Sequence, residues 1–127
     1  MDNIERLRRG YDHFNRSGEF DWDLLDPDVQ WNAFSFAPVA EWRGHAGVRG
    51  WLLEISEMFE GLRIEPEEFV DGGDKVVVVS TMSGRGRGSG AETEQLLVSL
   101  WTFRGGKVVR HDSYTDREEA LQAGGLA

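Results

Sequence analysis

Few side chains in this chain can move a proton or attack a bond, and the best placed of them lie near its carboxyl end. His111 and Ser113 alternate along an apolar-rich stretch, Val108 to Tyr114, that reads as a strand. Alternate residues share one face of a strand, so both face the same way, while Arg110, Asp112 and Tyr114 face the other. An imidazole with an ordinary pKa of about 6.5 exchanges protons near neutrality without a special environment, which makes His111 the first acid-base candidate. Ser99 and Trp101 share one parity on the preceding strand and join that face. Tyr11 on the first helix and Trp51 on a later one complete a mainly aromatic lining with few polar tips. Such a lining suits a hydrophobic, flat or cyclic small molecule.

Other chemistries lack their residues. With no cysteine, neither thiol catalysis nor disulfides are available. His13, His45 and His111 have no metal-ligand spacing. Asp21, Asp23, Asp26 and Asp28 resemble a calcium loop only loosely, since Asp26 stands where glycine is needed and Asn32 where glutamate is needed. These aspartates read as capping and solvated residues, and no metal or cofactor is expected. Gly86-x-Gly88-x-x-Ala91 looks like a dinucleotide fingerprint, but a strand follows it where a phosphate-binding helix is required.

Positioning those residues falls to two amphipathic helices followed by strands. Asp2-x-x-Glu5 opens a helix carrying Ile4, Leu7, Tyr11 and Phe14 at helical spacing, and Gly18 stops it. Phe20, Trp22, Leu24 and Leu25 suggest a second helical turn ended by Asp26-Pro27, and Val29 to Phe34 reads as extended. After a loop carrying Pro38, Gly44 and Gly47, the residues Val48, Trp51, Leu52, Ile55, Met58 and Phe59 form another helix, closed by Gly61. Strands are then expected over Leu62 to Val70, with Pro66 at a bulge or edge, and over Lys75 to Met82, whose Val76–Val79 run suits cover on both faces. Glycine-rich turns at 71–74, 84–90 and 105–106 join successive strands, and Asp116-x-x-Glu119 caps a final helix. Helices first and a mostly antiparallel sheet after them mean α+β.

The chain has 127 residues, 39% of them hydrophobic with five Trp and seven Phe, which suits one domain over 1–127 burying roughly two-thirds of its unfolded surface. A net charge of −9 repels nucleic acid and anionic membranes, and no apolar run reaches spanning or signal-peptide form, so a cytoplasmic protein is expected.

The first helix, the helical turn, Trp31-Asn32 on a strand, Gly44-His45-Ala46-Gly47-Val48 opening a helix, and Gly106-Lys107-Val108-Val109 running to Tyr114-Thr115-Asp116 together resemble the SnoaL-like branch of the nuclear transport factor 2-like superfamily. The resemblance covers nearly the whole chain. It implies a cone, a curved and mostly antiparallel sheet wrapped around the amino-terminal helices, with one deep pocket and a homodimer formed across the sheet. It places Tyr11 and Asn32 at ligand-contacting positions, which join Trp51, Ser99, Trp101 and Ser113 as the expected ligand-binding set, with His111, given by strand parity, as the catalytic candidate.

Superfamily members include ketosteroid isomerases, polyketide cyclases and epoxide hydrolases as well as non-catalytic domains, so the pocket residues must choose. Tyr11 falls at the isomerase tyrosine, but Asn32 stands at the base position and Ser99 at the acid position, and an amide cannot accept a proton at neutral pH. The epoxide hydrolase carboxylates and arginine correspond to Thr81, Ser83 and Ser113, and the cyclase aspartate also to Ser113. The expectation is therefore a small-molecule-binding protein of unspecified reaction. The alternatives are a lyase, isomerase or hydrolase acting on a cyclic polyketide- or steroid-like substrate through His111, and a non-catalytic dimerisation domain.

Overall fold

The structure, a computed structural model, describes residues 1–33 and 41–127; the expected extension to Phe34 and the loop position Pro38 lie outside the described residues. Helix α1 runs Asn3–Ser17 as its capping signals require. The Asp2 carboxylate accepts from the Glu5 backbone N–H at 2.8 Å, Leu7, Tyr11 and Phe14 are buried, and Gly18 ends the helix at φ 76°, where a β-carbon would be strained.

A 3-10 turn at Trp22–Leu24 then leads straight into strand β1, Leu25–Asn32. The strand was expected only from Val29, because Asp26-Pro27 reads as a break. Pro27 instead sits inside the strand, within the interval between Leu25 and Gln30 where its register with the last strand shifts. A residue without an N–H is tolerated at such an irregularity. A three-residue strand, β2 (Glu41–Arg43), pairs antiparallel with β1. Glu-Trp-Arg is too short to show an alternating pattern, so it was not anticipated.

Helix α2, Gly44–Met58, buries Val48, Trp51, Leu52 and Ile55. Gly61 does not close it. Phe59 turns extended at φ −131° and ψ 143° and begins strand β3 (Phe59–Asp71), while Gly61, at φ 64°, lies where the β3 register shifts between Glu60 and Arg63. Strands β4 (Lys75–Gly86), β5 (Glu92–Arg104) and β6 (Lys107–Tyr114) follow, then helix α3 (Arg117–Ala123).

The six strands form one sheet in the order β2-β1-β6-β5-β4-β3. All pairings are antiparallel except β1 with β6, which is parallel. The result is the expected α+β architecture. Two register shifts bend the edge strand β3, one of them between Pro66 and Glu68, as the proline foretold. The valine run of β4 is covered on both faces: Val76 and Val78 pack with α1, α2 and β1, whereas Val77 packs with Val98, Leu100, Ala120 and Leu121 under α3. Arg117 fixes α3 by two parallel 2.8 Å hydrogen bonds to the Glu68 carboxylate on β3. No helix among the described residues is long and apolar enough to cross a membrane.

The α2 register makes a prediction about stability. Ile55 is wholly buried and Leu53, two residues earlier, is 59% exposed. Ile55→Ala is expected to cost about 2–5 kcal/mol through lost burial and a residual cavity. Leu53→Ala should change stability by no more than about 0.5 kcal/mol. Denaturant midpoints for the two variants check the difference, and equal losses would contradict this placement.

Candidate functional site

Sheet register brings the site together. Trp31 on β1 lies opposite His111 on β6, and His111 lies opposite Trp101 on β5, so the three form one row across three strands. The His111 ring stacks on Trp31 at 4.0 Å between centroids and 18° between planes, and meets Trp101 at 4.5 Å and 57°. Ser99 and Ser113 form the next cross-strand pair on the same face. Helix α1 lowers Tyr11 onto this row, and α2 adds Trp51, whose ring lies 5.6 Å from Trp31.

Two hydrogen bonds organise the polar atoms. The Trp101 indole N–H donates to the Tyr11 hydroxyl at 3.1 Å, and His111 Nε2 is hydrogen-bonded to Ser99 Oγ at 3.0 Å. Tyr11, Ser99, Trp101 and His111 are all buried. Burial pushes the Tyr11 phenol pKa upward, against the Trp101 and Ser99 side chains, which favour the ionised form, so the hydroxyl stays protonated.

His111 departs from its expected chemistry. Burial pushes its imidazole pKa down to about 3, while the Asp112 carboxylate pulls it upward. Its charged form is too poorly solvated in this setting to populate near neutrality. The ring is therefore a neutral hydrogen-bonding group and not the near-neutral proton carrier that an exposed histidine would be.

These residues surround a hollow of about 50 Å³, lined by Tyr11, Trp31, Trp51, Ser99, Trp101, His111 and Ser113 among others. Its walls are overwhelmingly apolar. Space of that size admits a water or two but no drug-sized ligand, which takes roughly 300–1,000 Å³. Trp31 Nε1, buried beside the hollow, has no hydrogen-bond partner, and His111 Nδ1 makes no well-formed hydrogen bond although the Asn32 backbone stands close enough to raise the pKa of the ring. Unpaired buried groups are uncommon because each forfeits its hydration.

Six of the seven residues singled out in the sequence are thus brought together, and Asn32 is not. Strand alternation sends Trp31 inward and Asn32 to the opposite face, where its amide donates to Asp112 Oδ1 at 2.8 Å and Asp112 pairs with Arg110 at 3.0 Å. Sequence reasoning missed Trp31 and Phe20 as walls. The signal for Trp31 was present: Val29, Trp31 and Ala33 alternate with Asp28, Gln30 and Asn32. Among the described residues no group of three or more His, Asp or Glu side chains could hold a metal ion.

Comparison with known proteins identifies the family and the fold. The profile of the family described as SnoaL-like domain matches residues 7–111. No curated protein matches the chain significantly. Among solved structures, TerC, co-crystallised with polyporic acid, is 28% identical with a TM-score of 0.77 over 96% of each chain. A nuclear transport factor 2-like protein of unknown function from Burkholderia pseudomallei K96243 is 23% identical, with a TM-score of 0.79 over 98% of each chain. A protein from Jannaschia sp. CCS1, described as a candidate SnoaL-like polyketide cyclase, is 23% identical with a TM-score of 0.74, covering 98% of this chain and 92% of that one.

Two predictions follow from the buried polar row. Between pH 6.5 and about 3 the unfolded chain protonates His111 while the folded one does not, so stability rises with pH across that window. The slope from this one group is at most about 1.4 kcal/mol per pH unit. His111→Gln should flatten urea-midpoint profiles between pH 5 and 6.5, and an unaltered slope would refute the neutral buried imidazole. Tyr11→Phe leaves the buried Trp101 N–H without its acceptor and is expected to cost about 1–3 kcal/mol at neutral pH, measured by the same titrations.

Proposed function

The chain belongs to the SnoaL-like domain family, and within that family we propose that it binds a flat, largely apolar ring compound carrying oxygen substituents. The observation that carries this reading is the aromatic wall itself, in which Trp31, His111 and Trp101 stand ring against ring beside Trp51 around the hollow, with Trp31 Nε1 left without a partner in the chain. Tryptophan faces bury the area of a planar molecule and favour stacked or edge-on rings. A carbonyl or hydroxyl oxygen on that molecule accepts from an indole N–H or meets the His111–Ser99 pair, which gives a planar ligand orienting contacts. The co-crystallisation of TerC with polyporic acid, an aromatic hydroxyquinone, supports the same ligand chemistry.

Recognition is favoured over proton transfer. A neutral imidazole that protonates only near pH 3 is a weak base, and the Tyr11 phenol is a neutral hydrogen-bonding group. His111 is accordingly assigned to ligand orientation, with Ser99 fixing its ring through the 3.0 Å hydrogen bond. Tyr11, Trp51, Trp101 and Ser113 are assigned to the walls of the same site.

Polyporic acid is a usable probe because a bound quinone quenches tryptophan emission. Titration is expected to give saturable quenching at one ligand per chain. His111→Phe keeps the aromatic area but deletes the nitrogens, and removal of a hydrogen bond worth about 1–3 kcal/mol weakens affinity by roughly 5- to 150-fold. Non-saturable quenching, or equal affinity in the native protein and the His111→Phe variant, would refute the proposal.

A further inference from the structure

The rings around the hollow are not held alike. Tyr11, Phe14, Trp31, Trp51 and Trp101 are buried side chains on helices or strands, whereas Phe20 is only half-buried and stands in the irregular stretch between α1 and the 3-10 turn. Its ring nevertheless lies deep among the others. It stacks on Phe14 at 5.3 Å and 26°, runs nearly parallel to Trp51 at 6.2 Å and 9°, and tilts against Trp31 at 5.3 Å. These are the faces that a planar ligand would seek, and the protein covers them with a phenyl ring of its own.

The segment bearing that ring packs Phe20, Trp22 and Leu24 against the core, and the polar contacts that hold its outer side lie at the surface. Gly18, at φ 76°, has open space where a side chain would stand and forms its upstream pivot. Arg49 on α2 reaches Glu19 at 3.3 Å and lies 4.5 Å over the Trp22 ring, while the Trp22 indole N–H donates to the Glu19 carboxylate at 3.3 Å. Arg49 and Glu19 are each about half exposed, a setting in which an ion pair holds weakly. Lys107 adds a hydrogen bond to the Asp23 carbonyl at 2.6 Å.

We propose that residues 18–24 form a strap whose Phe20 ring is a displaceable plug: swinging on Gly18, the strap withdraws the ring, and a flat aromatic ligand takes its place against Phe14, Trp31 and Trp51. The inference rests on reading the hollow as a ligand site. It explains how that site can serve although only about 50 Å³ is open with the strap closed, since an apolar cavity that accepts benzene measures about 150 Å³. The binding-competent form is then the open one, and apparent affinity scales with its population. Arg49 acts as a positioning residue for the strap and touches no ligand.

Phenol, a single ring with one oxygen, is the probe, with affinity read by ligand-observed NMR for the native protein, Phe20→Ala and Arg49→Gln. Phe20→Ala should bind phenol at least tenfold more tightly than the native protein. Arg49→Gln, which loosens the latch without touching the walls, should tighten it severalfold. Native-like phenol affinity in both variants overturns the strap, and so does absence of phenol binding in all three. Quenching by polyporic acid separates these failures: if it persists and remains sensitive to His111→Phe, the site stands and opens by a movement other than that of the strap. Should Phe20→Ala lose its fold by circular dichroism, the exposed Arg49→Gln change decides alone.

Discussion

Strand alternation across the β1–β6–β5 ladder is the constraint on which the rest of this structure depends. It sets Trp31, His111 and Trp101 side by side on one face and turns Asn32, Arg110 and Asp112 to the other. Arg110 and Asp112 of β6 are thereby kept where they pair with one another, and the imidazole is kept among indole rings and the Ser99 hydroxyl. A shift of one residue in β6 would exchange these sets and bury the Arg110–Asp112 pair, which is costly unless every polar atom is satisfied.

That placement decides what the site can do. An acid-base histidine needs solvent or a charged partner to stabilise its protonated form, and here the imidazole is sandwiched between indoles. Among the described residues that line the hollow, Asp21 carries the one carboxylate, and it comes from the stretch between α1 and the 3-10 turn and not from the strands that bear Ser99 and Ser113. On the strands themselves what remains is a set of neutral donors and acceptors spaced along an aromatic surface.

Much of the fold was legible because its signals are local. Asp2, Gly18 and Asp116 mark helix ends by chemistry that operates within a turn, and Gly105-Gly106 takes positive φ at both positions, as a tight hairpin requires. The parity of Ser99, Trp101, His111 and Ser113 also followed from alternation alone. The sequence was less informative where long-range pairing overrides a local rule. Pro27 marks a break locally, yet lies within a strand at a register shift, and Gly61 has the form of a helix stop but serves a bend in β3. Asn32 was placed by likeness to relatives instead of by its own apolar neighbours. The His111 pKa was illegible for a different reason: desolvation comes from Trp31, about eighty residues away in the chain, and from Trp101.

The parallel pairing of β1 with β6 has a consequence for how the protein acquires its site. Strands β3 to β6 are joined in succession by hairpins and can zip up from neighbour to neighbour, whereas the β1–β6 ladder joins residues separated by 80 positions, as Asn32 and Asp112 are. Closing so long a loop is entropically slower than closing a hairpin. The tryptophan–histidine stack therefore belongs to the late stage of folding. During synthesis, a nascent chain still lacking β6 can display helices and hairpins but not the row of rings around His111, so the hollow closes only after β6 has been made.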